Sequence, residues 1–221
     1  VELELLRRRG IQYHTGETDP IIKMGKRGVN LFVVGKENCG KSSLVKRFDS
    51  DDFSGVRRDA AACSLTRKSL KVRIDWPDAT LAIWDMTAKP EDPWNPALNK
   101  ADAVIVCFGL DDPDSFEVAK KWLSLLLGKM RPGMPIVLVG NKGELEDPAI
   151  EYIDIYRATK QFNIDFIKCS AKTGDKVEDT FVQTFSMGYV QKYKKQADNT
   201  NQMQVIDRLW QGTNKKIAGE I

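Results

Sequence analysis

Histidine is almost missing from this chain: His14 is the only one in 221 residues. With a single imidazole, neither a histidine-built zinc site nor a His-based nucleophilic triad has its ligands. Cysteine is scarce too, and Cys39, Cys63, Cys107 and Cys169 are scattered with no Cys-x-x-Cys pair. That pattern argues against a disulfide framework or a zinc ribbon and reads as free, mostly buried thiols in a reducing compartment. Charge of one sign is lacking as well: the formal net charge is +3, too small to imply nucleic acid. The run Arg7-Arg8-Arg9 reads as a solvated patch rather than a nucleic-acid contact. No apolar run reaches the roughly 18 residues a membrane span requires, and neither an internal repeat nor a low-complexity tract occurs. What remains is a chain that is 42% hydrophobic, enough for one full α/β core.

Against these absences one stretch stands out. Gly35-Lys36-Glu37-Asn38-Cys39-Gly40-Lys41-Ser42 completes every fixed position of the phosphate-binding P-loop. It follows the apolar run Leu31-Phe32-Val33-Val34 and precedes Ser43 to Phe48, which reads as the first turns of a helix. The strand–loop–helix setting is the one this chemistry needs. Gly35 and Gly40 let the backbone around Asn38, Cys39 and Ser43 turn N–H groups inward, and the helix N-terminus adds its positive dipole end. Lys41 would reach the β- and γ-phosphates, and the Ser42 hydroxyl would ligate Mg²⁺.

The remaining pattern alternates strands and helices. Ala103–Phe108, Pro135–Gly140 and Asp165–Cys169 are short apolar runs that predict buried parallel strands. Ser115–Leu127, Ala149–Phe162 and the series Val177, Phe181, Phe185, Tyr189 predict helices, the second with Pro148 near its start. Ser69–Trp76 and Thr80–Trp84 predict a hairpin turning at Pro77-Asp78. Residues 1–28 form an N-terminal extension, 29–195 the α/β domain, and 196–221 a C-terminal tail in which Met203, Ile206, Leu209 and Trp210 fall on one helical face.

A P-loop does not by itself choose among ATPases, kinases and GTPases. Downstream lie Trp84-Asp85-Met86-Thr87-Ala88, then Asn141-Lys142-Gly143-Glu144 and Ser170-Ala171-Lys172, the last two at strand ends. In this order and spacing they resemble the small GTPase superfamily, nearest its Rab and Ras-like members, across residues 28–195. Ala101–Leu123 and Pro135–Lys142 look like Rab sequence almost residue for residue. The resemblance implies a P-loop NTPase fold of the small-GTPase type, with a mostly parallel six-stranded sheet covered by helices on both faces. It implies GTP or GDP with Mg²⁺ as ligands. Lys142 would lie along the guanine ring while Asn141 braces the loop, and Ser170, Ala171 and Lys172 would pack the base. Phe53, eleven residues past Ser42, falls where the family places an aromatic against the base, although a core role fits it too. Asp85 would hold Mg²⁺ through water.

Five departures from the family pattern cluster where hydrolysis happens. The switch I threonine slot falls within Ala60-Ala61-Ala62-Cys63, with Ser64 and Thr66 the nearest hydroxyls. The glycine of switch II is Ala88, and the water-orienting glutamine is Lys89, whose ammonium donates but cannot accept a hydrogen bond. Glu37 places a carboxylate beside the phosphates, and the guanine-reading aspartate is Glu144. That last exchange keeps the charge and both acceptors but shifts them by a methylene, weakening the base contact by about 1–3 kcal/mol. Glu37 and Lys89 would flank the γ-phosphate site, either paired across it or separately solvated. Pro90, Pro93 and Pro96 predict a shortened switch II helix, with Trp94 either a partner anchor or a cover for the core.

The expected function is a Rab/Ras-like guanine-nucleotide-binding protein, impaired in hydrolysis (a pseudoGTPase), acting through protein partners as a scaffold or assembly subunit. The rivals are a slow but active GTPase switch in trafficking or signalling, and a nucleotide-free structural subunit that keeps only the fold. Partners would dock through switch II around Trp94 or through the tails. No lipid-anchor motif is visible, because the last cysteine is Cys169. The expected location is a cytoplasmic face or another reducing compartment. The organelle is left open because the chain begins at Val1, which leaves room for an upstream segment.

Overall fold

A computed structural model of the chain describes residues 27–53, 63–70, 79–92 and 95–193, with Arg27 and 63–70 described by backbone alone. Its centre is β1 (Arg27–Val34), flanked by β3 (Ala79–Met86) on one side and β4 (Ala103–Gly109) on the other. β5 (Ile136–Asn141) and β6 (Asp165–Lys168) extend the sheet beyond β4, and β2 (Cys63–Leu70) closes the opposite edge. The order β2-β3-β1-β4-β5-β6 makes a six-stranded sheet in which five strands run parallel and β2 runs antiparallel.

Alternation along β1 explains why both faces are covered. Val29, Leu31 and Val33 point into one core with Leu44, Val45 and Phe48 of α1 (Lys41–Ser50) and Phe181, Phe185 and Tyr189 of α4 (Val177–Tyr193). Phe32 and Val34 point into the other, with Phe116, Trp122 and Leu126 of α2 (Pro113–Lys129) and Ile155 and Ala158 of α3 (Tyr152–Phe162). β4 is buried at every position, the continuous apolar run expected of a strand covered on both sides. The helical series Val177, Phe181, Phe185, Tyr189 lies wholly in the core, and Phe48 stacks on Phe181 at 4.5 Å between ring centroids. No helix among the described residues is long and apolar enough to cross a membrane.

Two boundaries differ from expectation. The first hairpin strand begins at Cys63, not Ser69, and pairs with β3 from Cys63 opposite Met86 to Leu70 opposite Ala79. Its sequence, CSLTRKSL, is mostly polar because an edge strand has a partner on one side only, so no apolar run marks it. The turn at Pro77-Asp78 lies outside the described residues. Helix α3 starts at Tyr152 rather than Ala149, because the Ala149 N–H donates to the Leu110 carbonyl and ties that segment to the end of β4.

At the foot of the sheet the Asp102 carboxylate accepts from the Asn30 N–H at 2.9 Å, from Arg131 at 3.0 Å and from Lys192 at 2.7 Å. Lys192 and the Tyr193 hydroxyl also donate to the Gly28 carbonyl. One buried carboxylate thus fixes β1, the chain before β5 and the end of α4, and leaves the opposite, C-terminal edge of the strands to carry the loops.

Candidate nucleotide-binding site

All the motif residues picked out in the described sequence fall at that C-terminal edge. β1 hands the chain to Gly35, whose φ is +143° and where a Cβ would sit 2.0 Å from the Cys107 carbonyl oxygen. Gly40, φ +96°, caps α1, and a Cβ there would sit 2.0 Å from the Asn141 Nδ2. Both positions require glycine for backbone conformation and for space. Asn38 is likewise left-handed, at φ +64°, and exposed, while Cys39 is buried. The first turn of α1, with Lys41, Ser42 and Ser43, contains no acidic residue, so its positive end is open to an anion. The buried Lys41 ammonium spans the loop and donates to the Gly35 carbonyl at 2.8 Å and the Lys36 carbonyl at 2.7 Å. An ammonium has three protons, so one donor is left for a phosphate oxygen.

Ser42 and Asp85 meet beneath the loop: the Ser42 hydroxyl donates to the Asp85 carboxylate at 2.5 Å. Two hard oxygens side by side at a P-loop suit Mg²⁺, which keeps several waters and takes its other ligands from phosphates. Among the described residues no cluster of three or more His, Cys, Asp or Glu could hold a metal unaided. The donor set therefore fits a metal that arrives with a phosphate. Ser64 stands opposite Asp85 in the β2–β3 register, while Ala60, Ala61 and Ala62 lie outside the described residues.

The base-side motifs converge through Asn141. Its side-chain amide is 2% exposed, donates to the Cys39 carbonyl at 3.0 Å and accepts from the Ala171 N–H at 3.0 Å. One residue thus joins the P-loop to the Ser170-Ala171-Lys172 loop. Lys142, left-handed at φ +66°, reaches Asp111 at 2.6 Å, and the Gly143 N–H donates to the Cys169 carbonyl at 2.8 Å. Ser170 accepts from the Thr173 N–H, which closes the third loop on itself; Lys172 is exposed. Glu144 Oε2 is buried with no hydrogen-bond partner among the described residues, an acceptor that suits a ligand N–H donor. Phe53 is 43% exposed, so it is not an ordinary core residue, and the Arg47 guanidinium carbon lies 5.8 Å from its ring centroid. Arg47 is not legible in sequence as a site residue, because the contacts that tie it to the Ala171 and Lys172 carbonyls lie more than a hundred positions away.

At the departed positions, Glu37 and Lys89 are both exposed, and no ion pair joins them among the described residues. The Lys89 N–H instead donates to the Asp92 carboxylate at 2.6 Å, while Ala88 packs against the core beside α2. Between β3 and β4 the described residues hold one helix, a five-residue 3₁₀ turn at Pro96–Lys100 capped by Asn95, in keeping with the expected shortening. Trp94, residues 1–26 of the N-terminal extension and the C-terminal tail lie outside the described residues, and Arg27 and Gly28 belong to β1.

The loop is also tethered laterally. Lys36 pairs with Asp112, the N-cap of α2, at 3.0 Å; this hydrogen bond raises the Lys36 pKa and lowers that of Asp112. Beneath the loop the Cys39 thiol donates to the Cys107 carbonyl at 3.3 Å. Contact with Cys39, reinforced by burial, pushes the Cys107 thiol well up, and burial pushes Cys169 up to about 12. All three are free, buried thiols, as expected.

The description of the Ras family matches residues 30–188. The chain is 34% identical over 169 residues to the Ras-related protein RABF2a of Arabidopsis thaliana, covering 72% of this chain and 81% of that protein. It is 30% identical over 169 residues to the GTP-binding protein RHO1 of Candida albicans, covering 68% and 83%. With human Rho-related GTP-binding protein RhoB the identity is 28% over 179 residues, covering 73% and 89%. The strand order, the intact phosphate loop and these matches agree: the chain belongs to the Ras family, within the small GTPase superfamily.

Proposed function

We propose that this protein binds GTP or GDP with Mg²⁺, hydrolyses GTP very slowly or not at all, and acts through protein partners as a scaffold or assembly subunit. Binding is supported by the loop that Gly35, Gly40 and Lys41 build and by the Ser42–Asp85 oxygen pair, which would hold Mg²⁺. Guanine is favoured by Glu144: its carboxylate, with Oε2 buried and without a partner among the described residues, would accept from the ring N–H and the exocyclic amino group. Mg²⁺ would neutralise phosphate charge; the protein's own residues hold and orient the nucleotide.

The observation that carries the hydrolytic part is the turn Ala88-Lys89-Pro90-Glu91-Asp92. Ala88 is packed against the core, the Lys89 N–H is taken by Asp92, and the Lys89 side chain is exposed. A side chain with no acceptor cannot both accept from and aim a water. Docking of partners beside this turn, and residence in a reducing compartment in keeping with three free thiols, complete the reading. Acid extraction of the purified protein, followed by chromatography, tests the binding half. Stoichiometric guanine nucleotide is expected. An empty protein that also shows no GDP or GTP binding by calorimetry would leave only a structural subunit.

A further inference from the structure

We infer that Arg47 is a positioning residue for the base half of the nucleotide site, setting how long a guanine nucleotide stays bound. The inference rests on the nucleotide-binding reading above and adds a residue that the recognition motifs do not contain. Arg47 lies on α1, the helix that presents Lys41 and Ser42 to the phosphates. Its Nε donates to the Ala171 carbonyl at 2.8 Å, and its NH2 donates to the Lys172 carbonyl at 2.6 Å. Its NH1 donates to the Asp51 carbonyl at 2.9 Å and to the Asp51 carboxylate at 3.1 Å. The guanidinium carbon stands 5.8 Å from the centroid of Phe53, two residues past the left-handed Asp51 that ends the helix. The side chain is 15% exposed.

One planar cation therefore connects three parts: the helix behind the phosphates, the loop that would pack the base, and the aromatic that would cover it. The fork is what permits this. Two divergent N–H edges hold adjacent carbonyls while a third holds the helix end, and the flat face remains available to the ring. An ammonium has neither the reach nor the face. Asn141 holds the same loop from its other side, through the Ala171 N–H. Ala171 is thus clamped at both its N–H and its carbonyl, by two side chains on different elements.

If Arg47 orders only the base half, its loss separates the two halves of the ligand. The test compares wild type with Arg47→Gln and Arg47→Lys. It reads release of a fluorescent GDP by stopped flow, affinity for Mg²⁺-pyrophosphate by calorimetry, and urea stability without nucleotide. Arg47→Gln is expected to release GDP about 10–100-fold faster, as loss of charge-assisted hydrogen bonds implies. Arg47→Lys should fall between, and pyrophosphate affinity should stay within about twofold for both, since no phosphate contact is removed. Combining Arg47→Gln with Phe53→Leu should accelerate release by less than the product of the single effects.

GDP release at the wild-type rate from folded Arg47→Gln would overturn this inference alone. Equal losses for GDP and pyrophosphate would also overturn it, by making Arg47 a general prop for the fold. Should Arg47→Gln not fold, Arg47→Lys decides on the same two ligands. A wild type that takes up no GDP overturns the nucleotide-binding reading itself, and this inference with it.

Discussion

Replacing Asn141 by alanine perturbs the one contact that joins the phosphate loop to the base loop. Its amide is buried, and each end satisfies a backbone group: the Cys39 carbonyl at 3.0 Å and the Ala171 N–H at 3.0 Å. Truncation leaves both without that partner inside the protein. The Ala171 N–H is stranded at about 1–3 kcal/mol, while the Cys39 carbonyl keeps a weak contact from the Cys107 thiol at 3.9 Å and loses less, so the sum is roughly 2–4 kcal/mol. Asn141→Asp divides the sum. An aspartate oxygen still accepts from Ala171, but the second oxygen faces the Cys39 carbonyl and two acceptors oppose each other. The aspartate variant should therefore be destabilised too, with its damage confined to the phosphate-loop end. Urea unfolding of nucleotide-free protein measures the loss, and amide hydrogen exchange locates it. Ala171 should lose protection in Asn141→Ala and keep it in Asn141→Asp. A loss below about 0.5 kcal/mol in the alanine variant would show that water replaces both partners and that the amide is no structural bridge.

Two further outcomes follow from groups outside the site. Asp102→Ala removes the acceptor shared by the Asn30 N–H, Arg131 and Lys192. Because the carboxylate is 4% exposed while both cations reach solvent, the cost is set mainly by the stranded N–H and the lost pairs, at roughly 2–4 kcal/mol. Thermal unfolding checks it, and an unchanged midpoint would show that Asp102 does not hold the foot of the sheet together. Asp165 has its carboxyl pushed up by burial. A carboxyl raised in the folded state binds protons more readily there than in the unfolded chain, so its contribution is most favourable below the ordinary range near about 3.9 and is lost as pH rises through the folded value. Asp165→Asn should therefore raise the unfolding midpoint at neutral pH, with the gain fading on acidification; a gain independent of pH would contradict this.

The parts of the molecule readable in the sequence are those in which one residue type serves one physical need. β4 and β5 are covered on both faces, so β4 is an unbroken apolar run and β5 is one up to its last residue, Asn141, and α4 repeats its core residues at helical spacing. The phosphate loop is legible because its glycines answer to steric limits that no other residue meets. β2 was hidden because an edge strand owes its existence to pairing with β3 rather than to its own pattern. The start of α3 was hidden because a long-range bond to Leu110, not a capping residue, holds Ala149 back. Arg47 and Asp102 were hidden for the same reason. Their partners are backbone groups and cations brought close only by the sheet order, and a charged residue on a helix or before a strand looks the same in sequence whether solvated or central.

In the proposed function the site keeps nucleotide and has lost the means to hydrolyse it. Single-turnover analysis of protein loaded with GTP and Mg²⁺, freed of excess nucleotide and sampled by acid release over hours, tests it most directly. The nucleotide is expected to stay bound and to stay GTP, converting no faster than in buffer. Bound GDP appearing with first-order kinetics well above that rate would contradict it, and would make Lys89 and Ala88 variations on a working enzyme.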